Sequence, residues 1–494
     1  LVTCNQDFLF FVRVINPVCN QTGYLACADA MLIPYKYQHG KLFMEHEVTI
    51  IGSGILGAVC AHHLAKKGVK VLILEAGAPI STPPGEHLRN QQKYREHPDQ
   101  FFDEIETYCQ LFDVDAPPEG LPGANITHAY GGQATLWTNN CPRPARHEQW
   151  PEFDDMNMNE YLSRAENILH VQKDLFDCSI RQMNLFAAID PILRIQNRSL
   201  AKVPLAGRKR KNNDIEFTST LQILDLPKEV RELITIQMNT EVIELLHNKS
   251  TISGLKVKQN QQLKDIKANR IIIAAGAFDT TQLLYNSHIH SAALGHYLHF
   301  HPLHLAQVVL NSSLVATDEI ADIPPRTCIY PTPNYPWHAM ILRDIFPNVS
   351  TEVIDENKLI DFQYFVPIDV QEKNRMILSK DKPKFEVRLT DNDKQIIDAA
   401  MKDLKSLANH LGRYRKGCEP RSMDFGFTHP MGVCRMGTDV SNSVTNLKGK
   451  VHGFNNLYLA TVGLIPTKMA VNPTLTAAAL ALITTDYITE EGFR

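Results

Sequence analysis

The residues with the clearest chemical potential lie near the C-terminal end. His429 opens His429-Pro430-Met431-Gly432-Val433-Cys434-Arg435-Met436-Gly437, and Asn472 opens Asn472-Pro473-Thr474-Leu475-Thr476 ahead of an apolar run. Imidazole changes charge near neutrality and so can take a proton there. An amide can bond the same oxygen without accepting its proton. The pair suits an alcohol that loses its O–H proton while its carbon gives up a hydride, a task for a base with a pKa near working pH. Each residue also has a plainer reading: His429 as a core histidine bonded to backbone, Asn472-Pro473 as a helix cap and first helical position. Both roles of Asn472 can hold together, because a helix start aimed at the hydride acceptor stabilises the charge it gains. His296, His299, His301 and His304 form a dense cluster, but a cation would need them to converge with carboxylate or thiolate help. No metal is expected.

A hydride needs an acceptor, and the N-terminal half supplies a place for one. Val48-Thr49-Ile50-Ile51 reads as a buried parallel strand, Gly52-Ser53-Gly54-Ile55-Leu56-Gly57 as a turn, and Ala58 to Lys67 as a helix stopped by Gly68. Val71-Leu72-Ile73-Leu74 is a second strand, closed by Glu75. Gly52 permits the tight turn, Gly54 lets backbone amides approach a pyrophosphate, and Gly57 lets helix and strand pack closely. The helix start offers N–H groups to phosphate, and Glu75 is placed to bind ribose hydroxyls. Gly131-Gly132-Gln133-Ala134-Thr135-Leu136-Trp137-Thr138 is a second close-approach segment, and Ala274-Ala275-Gly276-Ala277 a third at a strand's carboxyl end. A ligand touched by these and by the C-terminal segment is long and buried, which points to FAD.

These elements imply an α/β fold: a discontinuous FAD-binding Rossmann-like domain with an α+β substrate domain built on an antiparallel sheet. Residues 44–150, 216–300 and 425–494 are assigned to the first, residues 151–215 and 301–424 to the second. Residues 239–258 suggest two strands about a turn, 270–276 a buried strand ending in glycine, and 300–388 several antiparallel strands. Thr390 and Asp393 form an expected capping box for a helix facing inward through Ile397, Ala400, Leu404, Leu407 and Leu411 and ended by Gly412. Residues 1–43 precede Met44 as an extension without clear periodicity, and the core is expected to start with the strand just after Met44.

At 494 residues, 44% hydrophobic and 21% charged, the composition is that of a globular enzyme. A net charge of −4 argues against nucleic acid as a partner. Arg208-Lys209-Arg210-Lys211, the only dense basic run, reads as a solvated loop. The ten cysteines contain no C-x-x-C pair and read as reduced thiols. Phe8-Leu9-Phe10-Phe11-Val12 is too short for a signal-peptide core or a membrane span, as is the helix candidate from Leu475 to Ile483. A cytoplasmic protein without a membrane segment is the expectation.

Taken together, the segments from about Glu47 to Ile488 resemble the glucose–methanol–choline (GMC) oxidoreductase family. The matching pieces are the strand–glycine–Glu75 unit, Ala274 to Ser287, Leu294-Gly295 through His301-Pro302, His429 to Gly437, and Val451-His452-Gly453 through Asn472-Pro473-Thr474. Gly131 to Pro142 and Leu464-Ile465-Pro466-Thr467 look most like the branch of pyranose 2-oxidases and related sugar oxidoreductases. The resemblance implies FAD held by Gly52, Gly54, Gly57, Glu75, Gly131, Gly132, Thr135, Thr138, Val242, Ala275, Gly276, Gly463 and Thr474. It implies His429 as the base and Asn472 as the partner of the hydroxyl oxygen. It also implies an alcohol or sugar substrate and oxygen or a quinone as final acceptor. One departure stands out: that branch tethers its flavin through a histidine where this chain has Leu136. Leucine cannot form the bond, so non-covalent FAD is expected. A lyase with structural FAD, or a flavin-bound interaction protein, are the alternatives on the same scaffold.

Overall fold

The computed structural model describes residues 46–492 apart from 97–98, 112–119, 122, 211–213, 316–321, 344–349, 381–382 and 424–428. The extension and its apolar run at 8–12 lie outside the described residues.

Runs of three or four mostly apolar residues build the first sheet, because both its faces are covered; only its edge strand Ile234–Gln237 alternates with polar residues. Its order is Leu457–Leu459, Ile271–Ile273, Val48–Ile51, Val71–Leu74 and Ile234–Gln237, and every pair is parallel. All of Val48–Ile51 and Val71–Leu74 is buried. Two differences from expectation follow from glycine geometry. The first helix spans Ile55–Lys66 and so begins directly after Gly54, three residues before Ala58. The strand Ile271–Ile273 stops short of Gly276, which instead opens the helix Gly276–Asn286 at φ +76°.

The second sheet is antiparallel, in the order Gly412–Tyr414, Leu303–Leu310, Leu359–Phe365, His338–Leu342, Thr327–Ile329 and Leu200–Lys202, with Arg421–Met423 also paired to Leu303–Leu310. Strand residues alternate between faces. One face, with Ala339, Ile341, Ile360, Phe362 and Tyr364, joins the core formed with the helices Ile180–Ile195 and Asp391–Leu411. The other face, which carries Phe365, Met340 and Leu303, packs with Leu175 and Leu205. Thr390 caps Asp391–Leu411 as expected: its Oγ1 accepts the Asp393 N–H at 3.0 Å, and Asp393 returns the bond to the Thr390 N–H at 2.8 Å. Gly412 ends that helix in an extended conformation and begins a strand.

The basic run is no free loop. Arg208 and Lys209 lie in the strand Leu205–Lys209, and Arg208 and Arg210 both pair with Glu216; Lys211 is outside the described residues. The seven described cysteines are free thiols. The last helix, Thr474–Glu490, is longer than the sequence suggests and is buried on nearly every side by the helices Ile55–Lys66 and Met158–Ile168. Among the described residues, no helix is long and apolar enough to cross a membrane.

Candidate active site

The glycine turn is built around close backbone approaches. Gly52 has φ +102°, and a Cβ there would stand 2.5 Å from the Ala274 carbonyl oxygen; one on Gly57 would stand 2.1 Å from the Gly52 oxygen. Gly54 and Gly132 face each other across the turn, where a Cβ on Gly132 would lie 3.5 Å from the Gly54 Cα. Beside Gly276 and around Gly54 there is room, with nothing within 4 Å of a Cβ on the first and only the Gly131 oxygen at 3.9 Å from the second. Backbone lined in this way accepts a flat, extended dinucleotide.

Ser53 locks these segments together, a role the sequence did not suggest. Its hydroxyl donates to Glu75 Oε2 at 2.6 Å and accepts the Gly131 N–H at 2.8 Å. Thr220 donates to the Ser53 carbonyl at 2.8 Å. Glu75 accepts two further bonds, from the Ser53 N–H at 3.0 Å and the Gly77 N–H at 2.7 Å. An ionised carboxylate offers about four acceptor positions, so roughly one remains for a ribose hydroxyl. Burial raises the Glu75 pKa, and its bonds to Ser53 and Gly77 oppose the shift.

The other expected cofactor residues divide by role. Ala275 and Gly276 open the helix Gly276–Asn286, and Gly463 packs on its first turn, where a Cβ on it would fall 3.5 Å from that of Ala277. Thr135 gives its hydroxyl to the Gly132 carbonyl at 2.8 Å and so braces the turn. Thr138 accepts a bond from Asn140 at 3.0 Å. Val242 lies in the antiparallel strand Thr240–Asn248 against the main core. Leu136 turns into an apolar cluster with Leu88, Tyr94 and Phe101.

His429 is joined to His301: His429 Nδ1 and His301 Nε2 are 2.5 Å apart, with the rings edge to face at 79°. The other nitrogen of His301 lies 3.0 Å from the Met469 carbonyl. A carbonyl only accepts, so His301 carries its proton on Nδ1. Burial holds His301 well below its ordinary pKa, hence neutral, and its Nε2 is an acceptor. His429 therefore donates from Nδ1, which leaves its Nε2 with a free lone pair. Burial also holds His429 down, at about 4. No described carboxylate offsets that desolvation. Phe365 packs on both rings, at 4.9 Å from His301 and 5.9 Å from His429, and His338 stacks behind it.

Asn472 does not cap the last helix. That helix begins at Thr474 with Pro473 half in, and no side chain caps it. The Asn472 side chain is buried, and its Oδ1 has no partner among the described residues. A buried polar atom left unpaired is costly unless a ligand completes it. The remaining histidines of the dense cluster serve separate backbone contacts: His296 with Glu372, His299 with Tyr297 and Thr467, His304 with Ile397. Among the described residues, no three metal-ligating side chains come together.

Residues 218–303 and 371–481 match the two models described as GMC oxidoreductase, and residues 47–98 match one described as FAD dependent oxidoreductase. The chain belongs to the GMC oxidoreductase family. It is accordingly an FAD-dependent enzyme acting on CH–OH groups. It is 29% identical to a pyranose 2-oxidase of Tricholoma matsutake, over 88% of this chain and 92% of that protein. It is 27% identical to a C-glycoside 3-oxidase of Microbacterium trichothecenolyticum, over 90% and 96%. Two solved GMC-type folds superpose over 90% of the chain: a pyridoxine 4-oxidase from Mesorbium loti (TM-score 0.66, 16% identity, 99% of that chain) and a formate oxidase (0.67, 14%, 98%). The open glycine backbone fits the FAD that this family carries.

Proposed function

We propose that the enzyme oxidises a secondary or primary hydroxyl of a sugar or glycoside, with His429 Nε2 as the base and the Asn472 amide holding the same oxygen. The observation that carries this reading is the chain from the Met469 carbonyl through His301 to His429 Nδ1, which leaves a single nitrogen free to take a proton. At neutral pH that nitrogen is unprotonated, because burial holds His429 at about 4. A proton arriving there makes an imidazolium whose Nδ1–H still bonds His301, so the ring keeps its orientation. Among the described residues nothing holds the Asn472 Oδ1, and which amide atom stands at which position is an assignment made from hydrogen bonding. Phe365, from the antiparallel sheet, packs beside His429, and His338 stacks behind it. Gly52, Gly54, Gly57, Glu75, Gly131, Gly132, Ala275, Gly276 and Gly463 would hold FAD, which when bound accepts the hydride.

The sugar substrate is supported by the two relatives named for pyranose and C-glycoside oxidation. Oxygen or a quinone would then take the electrons. Leu136, turned into its apolar cluster, supports a flavin held without a covalent bond. Mixing the holoenzyme anaerobically with a panel of aldoses and glycosides tests the reading. Bleaching of the flavin's long-wavelength band is expected with at least one of them, and acid precipitation of the same sample releases the yellow colour into solution. A flavin that no sugar or glycoside reduces would overturn the proposal.

A further inference from the structure

Glu148 is almost wholly buried, 3% exposed, in the short turn Arg146–Glu148. Its carboxylate accepts backbone N–H groups from Ala145 at 2.7 Å, Ala470 at 2.5 Å and Val471 at 3.3 Å. Buried charges are ordinarily paired with a cation; the influences on this one are burial, which pushes it up to about 7, and the three N–H groups that pull it back. The charged and titratable groups on the adjoining stretches are Arg146, His147, His299, His301 and Lys468, the last paired with Asp369 at 2.7 Å. An acid that is costly to bury and touches only backbone has that backbone as its evident purpose.

The backbone in question leads into Asn472. Residues 467–472 lie outside helix and strand, and contacts from three distant parts of the chain fix them in succession. The His299 ring lies 2.9 Å from the Thr467 carbonyl, Asp369 holds Lys468, His301 holds the Met469 carbonyl, and Glu148 holds Ala470 and Val471. The Glu148 bonds span 322 positions of sequence and are the last anchor before the unpaired Asn472 oxygen.

We propose that Glu148 is a positioning residue: its carboxylate sets the 470–471 backbone and thereby the place of the Asn472 amide at the substrate oxygen. This rests on the role given to Asn472 above. Without the carboxylate, two adjacent N–H groups lose their acceptor and the segment shifts. A misplacement of about 1 Å can cost on the order of a hundredfold in rate.

The test compares Glu148→Ala and Glu148→Gln in the holoenzyme, each alone and combined with Asn472→Ala. Two quantities are read: the rate of flavin reduction by a sugar substrate, and amide hydrogen exchange in a peptide covering residues 467–473. Glu148→Ala is expected to slow reduction roughly ten- to a hundredfold and to speed exchange in that peptide. Glu148→Gln keeps one oxygen for either Ala145 or the 470–471 pair, so its effects are smaller but of the same kind, and it carries the test if Glu148→Ala does not fold. In the Asn472→Ala background the rate effect should shrink to below about threefold, since coupled residues are not additive. An undiminished effect in that background, or exchange unchanged by both substitutions, overturns the proposal. Exchange needs no turnover, so faster exchange in an enzyme that oxidises no sugar would count against the substrate and not against the anchoring of the segment.

Discussion

At the scale of single residues, the His301–His429 pair decides which nitrogen is available for chemistry. His301 is fully buried between the Met469 carbonyl and His429 Nδ1. Replacing it by leucine leaves the His429 Nδ1–H buried without an acceptor, a penalty of about 1–3 kcal/mol. The ring then has reason to turn or change tautomer, and flavin reduction is expected to slow roughly ten- to a hundredfold by that conversion. His429→Ala removes the base itself, and a loss of about 10²–10⁴-fold is expected. Stopped-flow reduction with flavin occupancy matched between variants measures both; a His301→Leu enzyme reduced at the wild-type rate would dismiss the tautomer argument. His301 was visible in the sequence as one of four crowded histidines and as the end of a segment that resembles the family, but not as a partner of His429. Spacing says how densely histidines occur, not which carbonyl or ring each will face 128 or 168 positions away.

At the scale of elements, the turn between Val48–Ile51 and the helix Ile55–Lys66 depends on Glu75 as well as on its glycines. The carboxylate joins Ser53, on that turn, to Gly77 beyond the second strand, and Ser53 passes the connection to Gly131. Glu75→Ala should therefore weaken FAD binding and also loosen the apo-protein. Hydrogen bonds to a charged group are worth about 1.5–3 kcal/mol each, so a loss of affinity on the order of ten- to a hundredfold is expected, with a lower melting temperature even without FAD. Titration of apo-protein with FAD and a melt of the same sample check it; a fall in affinity with no change in apo stability would assign Glu75 to the ribose alone. This strand–turn–helix unit was largely legible, because apolar runs and glycine spacing act within a few residues of one another. The brace through Ser53 was not, since serine in a glycine-rich turn has no pattern that announces a partner 22 or 78 positions on. Glu148 was illegible for the same reason.

At the scale of the whole molecule, histidines that are buried or partly buried dominate the response to acid. His299, His301, His338 and His429 all have pKa values lowered by burial, to about 4 for His299 and His429 and about 3 for His338. A depressed histidine leaves the folded state with fewer bound protons than the unfolded one, so the stability it supports is present above about 6.5 and is lost as pH falls toward its folded value. Glu75 and Glu148, with raised folded values, act in the opposite sense and offset part of this. His62, His63, His147, His170 and His452 are lowered too, and only His128 is raised among the shifted histidines, so the lowered groups outweigh the raised ones; each net proton is worth about 1.4 kcal/mol per pH unit. Melting temperature should fall steeply between pH 6.5 and 4, while a profile level across that interval would contradict the neutral-histidine interior. The two-sheet architecture was readable from the contrast between continuous and alternating apolar runs. Where the last helix starts was not: Asn-Pro marks a helix start in general, and here the side chain is withheld from capping.

One arrangement has a consequence for how this scaffold can diversify. The proposed base and the proposed amide both trace back to residues 467–472, one through the Met469 carbonyl and His301, the other through the chain itself. They share a jig. If the antiparallel sheet breathes against the parallel one, this common mounting limits the change in their spacing. The wall beside them, Phe365 with His338 stacked behind it, hangs from other strands and meets the two rings by packing, with no hydrogen bond to them among the described residues. Substitutions there can re-aim which hydroxyl is presented while the proton-handling pair stays in tolerance, so a lineage built on this scaffold can change its substrate without rebuilding its chemistry.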